Sequence, residues 1–516
     1  MPVTPLPALN SPPLPPTKTC FAGRLLAAFS ACVLTSLTYT GAAAQPSAQN
    51  LPPEVEAALA RAKVPREALA AIVIDAAPAL NGKSAPLLAV RANAPVNPAS
   101  VMKLVTTYAG IELLGPAYTW NTPVFVDGAI KDGVLQGNLI IQGRGDPKLV
   151  IERLWLLLRR VQGLGIKTIS GDIFLDRSAF AAAPHNPADF DNEPFRPYNA
   201  APDALLINYK SVVMTFAPNP GAGVAHVSFD PPLANVNMQA TVPLSAGTGA
   251  SLSECGDYRG ALKADFSDAF RMSFAGTYPA GCGEKIWAVA YADPASYAER
   301  AVHGLWQDMG GKLIGRVREG RAPPGLRPVF EAASPPLADV IRDINKFSNN
   351  VMAQQLFLTF SLPQAGAARL ANTQAAASKE ASREVLRSWW QQRFGAQDMP
   401  VFDNGSGLSR AERVTPQGLA RMLQTAYVSG AMPELMASLP ITGVDGTLRN
   451  HRSRVSQGWA HLKSGSLNEA TALAGYVHTP NGRRLVVVAV VNHPNASAAR
   501  PALDALVDWV VKEGSR

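Results

Sequence analysis

The sequence has little that would tie it to nucleic acid, metal or a nucleotide cofactor. Lys and Arg number 47 against 39 Asp and Glu, a net charge of +8, yet they form no dense basic block. A nucleic-acid partner therefore lacks support, and the basic balance fits acidic or polymeric partners equally well. The seven histidines show no HExxH pattern or other metal-ligand spacing, which argues against a zinc peptidase and leaves no metal ligand to name. No phosphate-binding loop or dinucleotide fingerprint occurs, so no cofactor is expected. Cysteine is scarce, with four in 516 residues.

Acidic residues are missing altogether from residues 1–44. There Lys18 and Arg24 precede the apolar run Leu25–Leu37, and "GAAAQ" follows with small residues before Gln45. This is the pattern of an export signal cut near Ala44. The run is shorter than the roughly 20 apolar residues that a membrane span needs, so no stable anchor is expected in the mature chain. Cys20 and Cys32 would leave with the signal. Cys255 and Cys282 would remain, as one disulfide or as two buried thiols.

What is present supports a folded enzyme. Apolar residues make up 47% of the chain, and its length implies two domains or one domain with a large insertion. Residues 51–115 read as helix, strand, strand, helix, with strands over Leu69–Ala77 and Ala85–Ala92 joined by the turn Asn81–Lys83. Between Val124 and Phe330 short strands alternate with Gly, Pro, Asn and Asp turns. Helical patterns return from Leu337. Two strands then follow, around "TALAGYVHTP" and "RRLVVVAVVNHP", before an amphipathic C-terminal helix with Leu503, Leu506, Val507 and Val510 on one face. The Ala-rich stretch Gln364–Ser378 reads as a loop or a helix end. The expected fold class is α/β (α+β). One discontinuous domain spans 45–125 and 305–516, with a mostly-β insertion at 126–304 that has room for two lobes.

Three stretches carry chemistry. In "NPASVMKL", Ser100 and Lys103 lie one helical turn apart, on a helix with Asn97 as its N-cap and Pro98 at its first position. A serine hydroxyl is a weak nucleophile until a base removes its proton, and a desolvated lysine can do this. Alone, the pattern also describes a capping serine beside a solvated lysine. The second stretch, Ser348-Asn349-Asn350, precedes an apolar helix. The third, Lys463-Ser464-Gly465, leads into a strand. Ser-x-x-Lys, Ser-x-Asn and Lys-[Ser/Thr]-Gly in this order are the signatures of penicillin-recognising serine acyltransferases.

The separation of the first two motifs is domain-sized. With "GNLIIQGRGDP", "DNGSGLSR" and "LPITGVDGTLR", it resembles the class C low-molecular-mass penicillin-binding proteins, the D-alanyl-D-alanine carboxypeptidase/endopeptidase family. The family usually has Thr where this chain has Ser464. The resemblance implies a penicillin-binding/β-lactamase-like domain that cleaves peptidoglycan stem peptides ending in, or cross-linked through, D-Ala, with β-lactams as inhibitors. It implies Ser100 as nucleophile, Lys103 as its base, and Ser348 in proton relay. Asn350, Lys463, Ser464, Gly465 and Ser466 would bind substrate, with the Ser100 and Ser466 N–H groups as the oxyanion hole. Asp191 is a further candidate, for contact with the substrate's free amino group. The expected location is outside the cytoplasm, most simply the periplasm. A β-lactamase or esterase, and a non-hydrolytic wall scaffold or β-lactam sensor, are the competing functions.

Overall fold

The computed structural model describes residues 50–77, 85–245, 255–365 and 376–515. The export segment, the turn Asn81–Lys83 and most of the Ala-rich stretch lie outside the described residues.

Five antiparallel strands form the central sheet, in the order Ala460–Leu467, Ala470–His478, Arg484–Asn492, Leu69–Asp75, Leu88–Val90. The two ends of the chain meet in it, with Leu69 opposite Val491 and Asp75 opposite Leu485. The strand "RLVVVAVVN" is apolar without alternation because helices cover both faces. Leu485, Val487, Ala489 and Val491 pack with the helices Pro53–Arg61 and Arg500–Glu513. Val486, Val488 and Val490 pack with the helices Lys103–Leu114, Leu337–Phe347 and Pro416–Tyr427. The C-terminal helix buries Leu503, Leu506, Val507 and Val510 on this sheet.

The long segment between the first and second motifs builds its own sheets. Asn121–Lys131 pairs with Val134–Gln142 and, on its other side, with Phe330–Ala333, so the chain leaves and re-enters through adjacent strands. A four-stranded and a three-stranded sheet lie further along. All three share one apolar cluster, which joins Leu139 and Ile141 to Met214, Phe216 and Phe274. Two helices also belong to it, Ile151–Gly163 and Tyr297–Asp308. The first buries Leu154, Leu157, Leu158 and Val161, a helical spacing hidden among turn residues.

Strand pairing draws the borders of this segment near Asn121 and Ala333. The expected borders at 126 and 304 fall inside the strand Asn121–Lys131 and the helix Tyr297–Asp308, because local texture does not report partners. Cys255 and Cys282 are joined by a disulfide. Among the described residues no helix is long and apolar enough to cross a membrane.

Candidate active site

Ser100 stands on a tight turn rather than on a regular helix. Ala99–Met102 forms a 3-10 turn, and the α-helix begins only at Lys103. Asn97 shapes the turn instead of capping the helix. Its Oδ1 accepts the Ala99 N–H at 2.9 Å, and the Asn492 amide grips its backbone through bonds of 2.7 and 3.0 Å. Ala99 is held at φ +47°, a region that non-glycine residues enter at a cost of about 1–3 kcal/mol. Two glycines allow neighbours to close on this turn. A Cβ on Gly407 (φ +82°) would lie 2.0 Å from the Ala99 carbonyl oxygen, and one on Gly465 would lie 2.7 Å from that of Pro98. The missing side chain of Gly465 thus makes room for the Ser100 turn.

Lys103 is fully buried, and its Nζ sits 2.9 Å from Ser100 Oγ. It also donates to Asn350 Oδ1 at 2.6 Å and to the Ser406 carbonyl. Burial holds its ammonium well below the ordinary lysine range, and the Lys463 charge lowers it further, while Glu412 opposes them. Both carbonyl partners can only accept. They take two N–H bonds, and in the neutral amine the remaining lone pair faces the Ser100 hydroxyl.

The second motif breaks a helix. Ser348 adopts φ +56° after Leu337–Phe347, and Asn349 caps the helix Asn350–Thr359 by accepting the Met352 N–H at 3.0 Å. Lys463 Nζ donates to Ser348 Oγ at 2.9 Å and to the Ser464 carbonyl at 2.7 Å. It too is fully buried, and burial, aided by Arg500, pushes its pKa down to about 7. The third motif lies within the strand Ala460–Leu467, at the edge of the central sheet, rather than ahead of a strand. An edge strand offers free backbone groups to an extended peptide. Ser464 is buried, its hydroxyl paired with Thr447 Oγ1 at 2.8 Å, whereas Ser466 is exposed.

These groups border a cleft of about 1000 Å³ lined by Ser100, Ser348, Asn350 and Ser466. Its far wall comes from the inserted segment, including Phe190, Asp191, Tyr198 and Tyr209. Asp191 accepts from the Tyr198 hydroxyl at 2.8 Å and from Asn199 Nδ2 at 2.7 Å. Arg410 bridges to this wall, bonding the Phe190 carbonyl at 2.8 Å with its guanidinium over the Phe190 ring. Gln355 fastens the wall to the Asn350 helix through the Asp203 N–H and carbonyl, both at 2.8 Å, and the Gly145 carbonyl at 3.2 Å.

Three participants escaped the sequence reasoning. The Ser406 carbonyl lies in "DNGSGLSR", where two glycines and flanking Asn and Asp mark a fixed loop, but a backbone carbonyl has no side-chain signature. Thr447 and Asp445 lie in "LPITGVDGTLR". Asp445 pairs with Lys346 at 2.6 Å, so this loop ties the Ser348 turn to Ser464. A separate Ser-His-Asp constellation joins Asp504, His451 and Ser456. Ser456 is fully buried and its hydroxyl is given to Asp508 at 2.5 Å, so this set clamps a loop onto the C-terminal helix. Among the described residues no cluster of three or more His, Cys, Asp or Glu side chains could hold a metal ion.

Known proteins resemble the chain in sequence and in fold. A relative named D-alanyl-D-alanine carboxypeptidase DacB, from Haemophilus influenzae, is 25% identical over 400 residues, covering 76% of this chain and 80% of that protein. A D-alanyl-D-alanine carboxypeptidase of Actinomadura sp. is 28% identical over 421 residues, covering 78% and 74%. The crystal structure of penicillin binding protein 4 from Haemophilus influenzae matches in fold with a TM-score of 0.67 at 23% identity, over 90% of this chain and 99% of that one. The sequence profile described as the D-Ala-D-Ala carboxypeptidase 3 (S13) family matches residues 51–513, and the chain belongs to that family.

Proposed function

We propose that this chain is a serine D-alanyl-D-alanine carboxypeptidase and D,D-endopeptidase that acts on peptidoglycan stem peptides and cross-links. The observation that carries this reading is Lys103. A buried, charge-depressed amine, with two of its directions taken by carbonyl oxygens, turns its third to Ser100 Oγ at 2.9 Å.

In this reading Lys103 accepts the Ser100 proton as Oγ attacks the carbonyl of the penultimate D-Ala. The Ser100 and Ser466 N–H groups receive the oxyanion, donors worth roughly 3–4 kcal/mol each. Ser348, bonded to Lys463, passes a proton to the leaving amine. Asn350 holds Lys103 with its oxygen and offers its nitrogen to the substrate's peptide. Lys463 supplies positive charge beneath the terminal carboxylate, and the Ser464–Thr447 hydroxyl pair supports its hydrogen bonding. Water then releases the acyl group. Asp191 on the far wall meets the free amino group of the stem peptide. A β-lactam acylates Ser100 by the same attack and leaves slowly. Such a substrate lies outside the cytoplasm, which fits the export signal read in residues 1–44 and a periplasmic place of work.

The test is intact-mass analysis after benzylpenicillin beside a Ser100→Ala control, with D-alanine release from a D-Ala-D-Ala pentapeptide in parallel. A lasting single adduct, absent in the control, together with D-alanine release is the expected result. An adduct without turnover would indicate a sensor or scaffold, and rapid adduct loss with penicillin hydrolysis a β-lactamase. No adduct on folded protein sinks the Ser100 assignment.

A further inference from the structure

Glu412 is fully buried in the loop that follows "DNGSGLSR", and it does not line the cleft. Its Oε1 collects three successive backbone N–H groups, from Asp403, Asn404 and Gly405, at 3.3, 3.1 and 2.8 Å. Consecutive N–H groups turned to one point form a nest for an anion. Turning the N–H groups inward throws the next carbonyls outward. Gly405 gives its carbonyl to Thr106 Oγ1 at 2.6 Å, and Ser406 gives its carbonyl to Lys103 Nζ. Gly407 then lies flat on the Ser100 turn. Glu412 Oε2 is buried with no hydrogen-bond partner among the described residues. A carboxylate oxygen kept in this condition is costly for a purely structural clamp.

We infer that Glu412 is a positioning residue for Lys103: it shapes the loop that hands the Ser406 carbonyl to the amine, and its charge favours the protonated amine. The inference rests on the Ser100–Lys103 reading above. The other charges facing the pair are Lys463 and, behind it, Arg500. On the loop side stands Asp403, neutralised by Arg383 at 2.7 Å. None of these charges is removed when only residue 412 is altered.

Glu412→Gln keeps the shape and one acceptor oxygen and removes the charge. Glu412→Asp keeps the charge and withdraws it by one methylene. The measurement is the rate constant of Ser100 acylation by benzylpenicillin from pH 5 to 9, with melting temperatures alongside. Glu412→Gln is expected to lower the plateau roughly tenfold, as misplaced reacting groups do. It should also move the acid limb down by about half a pH unit or more, since the amine loses a nearby anion. Glu412→Asp is expected to lower the plateau and leave the limb at its wild-type position. A wild-type rate and limb in Glu412→Gln overturns the inference. So does a rate loss that only tracks loss of folded protein, with the limb unmoved. If Glu412→Gln does not fold, a Glu412→Asp protein acylated at the wild-type rate overturns it. Wild-type protein that is not acylated at Ser100 would instead refute the functional reading beneath it.

Discussion

The Cβ that Gly465 lacks would stand 3.1 Å from the backbone nitrogen of Ser100. The edge strand and the Ser100 turn therefore fit together only through a glycine. Gly465→Ala must push one of them away, with backbone carbonyl oxygen as the nearest obstacle. We expect a stability loss of about 1–3 kcal/mol, typical of overpacking. Acylation by benzylpenicillin should fall roughly 100-fold, because small displacements of reacting groups are costly. Chemical denaturation and acylation kinetics on one preparation check both. A variant acylated at the wild-type rate would show that the strand yields without moving Ser100.

Lys103→Met replaces a buried amine with an apolar side chain of similar length. Acylation is expected to fall by about 10³ or more, the scale on which a general base contributes. In the wild type only the neutral amine can take the serine proton. Acylation should therefore decline as pH falls through the Lys103 pKa, which lies well below the ordinary value of 10.5. A Lys103→Met protein acylated at the wild-type rate would remove Lys103 from that role.

Lys463 makes a stability prediction with a definite sign. Its pKa is about 7 in the folded chain against 10.5 for an ordinary lysine. Between these values the unfolded chain binds the extra proton, so folding stability rises with pH across that window. Below about pH 7 both states are protonated and the penalty is constant. Lys463→Met should thus be more stable than wild type by about 2 kcal/mol at pH 7, as when a buried charge gives way to an apolar group. The gap should shrink toward pH 10. Urea unfolding of both proteins at pH 7 and pH 9.5 measures it. A gap that widens with pH contradicts the assignment.

Gln355 holds the cleft wall that the inserted segment supplies. Gln355→Ala leaves the Asp203 and Gly145 backbone groups without their amide partner. The expected cost is about 2–4 kcal/mol, from a cavity and unsatisfied buried groups. If the wall selects the stem peptide, KM for a pentapeptide should rise more than kcat falls, while penicillin acylation changes little. Equal losses on both substrates would assign Gln355 to folding alone.

Much of the site was legible because its chemistry is carried by side chains in short runs. Ser100 with Lys103, Ser348 with Asn350, and Lys463 to Ser466 each occupy a few consecutive positions, where residue type and spacing single out the candidates. The continuous apolar run Leu485–Val491 likewise announced a strand, and the structure covers both of its faces with helices. The Ile151–Gly163 helix was missed although its spacing is helical, since turn-rich surroundings dominated the pattern. The strand pairing at the ends of the insertion was not legible for a related reason. A strand's sequence tells how it faces a core, but not which strand it pairs with.

The sequence by itself determined the candidate reactive groups and their order along the chain. These depend on neighbours a few residues away. Only the tertiary structure decided that Lys103 meets Asn350 and the Ser406 carbonyl, that Lys463 reaches Ser348, and that Glu412 lies behind them all. It also decided that Phe190 to Tyr209 wall the cleft. Most of these contacts join residues more than a hundred positions apart, and several run through backbone groups that every residue possesses. No local pattern encodes them. They exist because packing the sheets and their helices together brings these loops around a single serine.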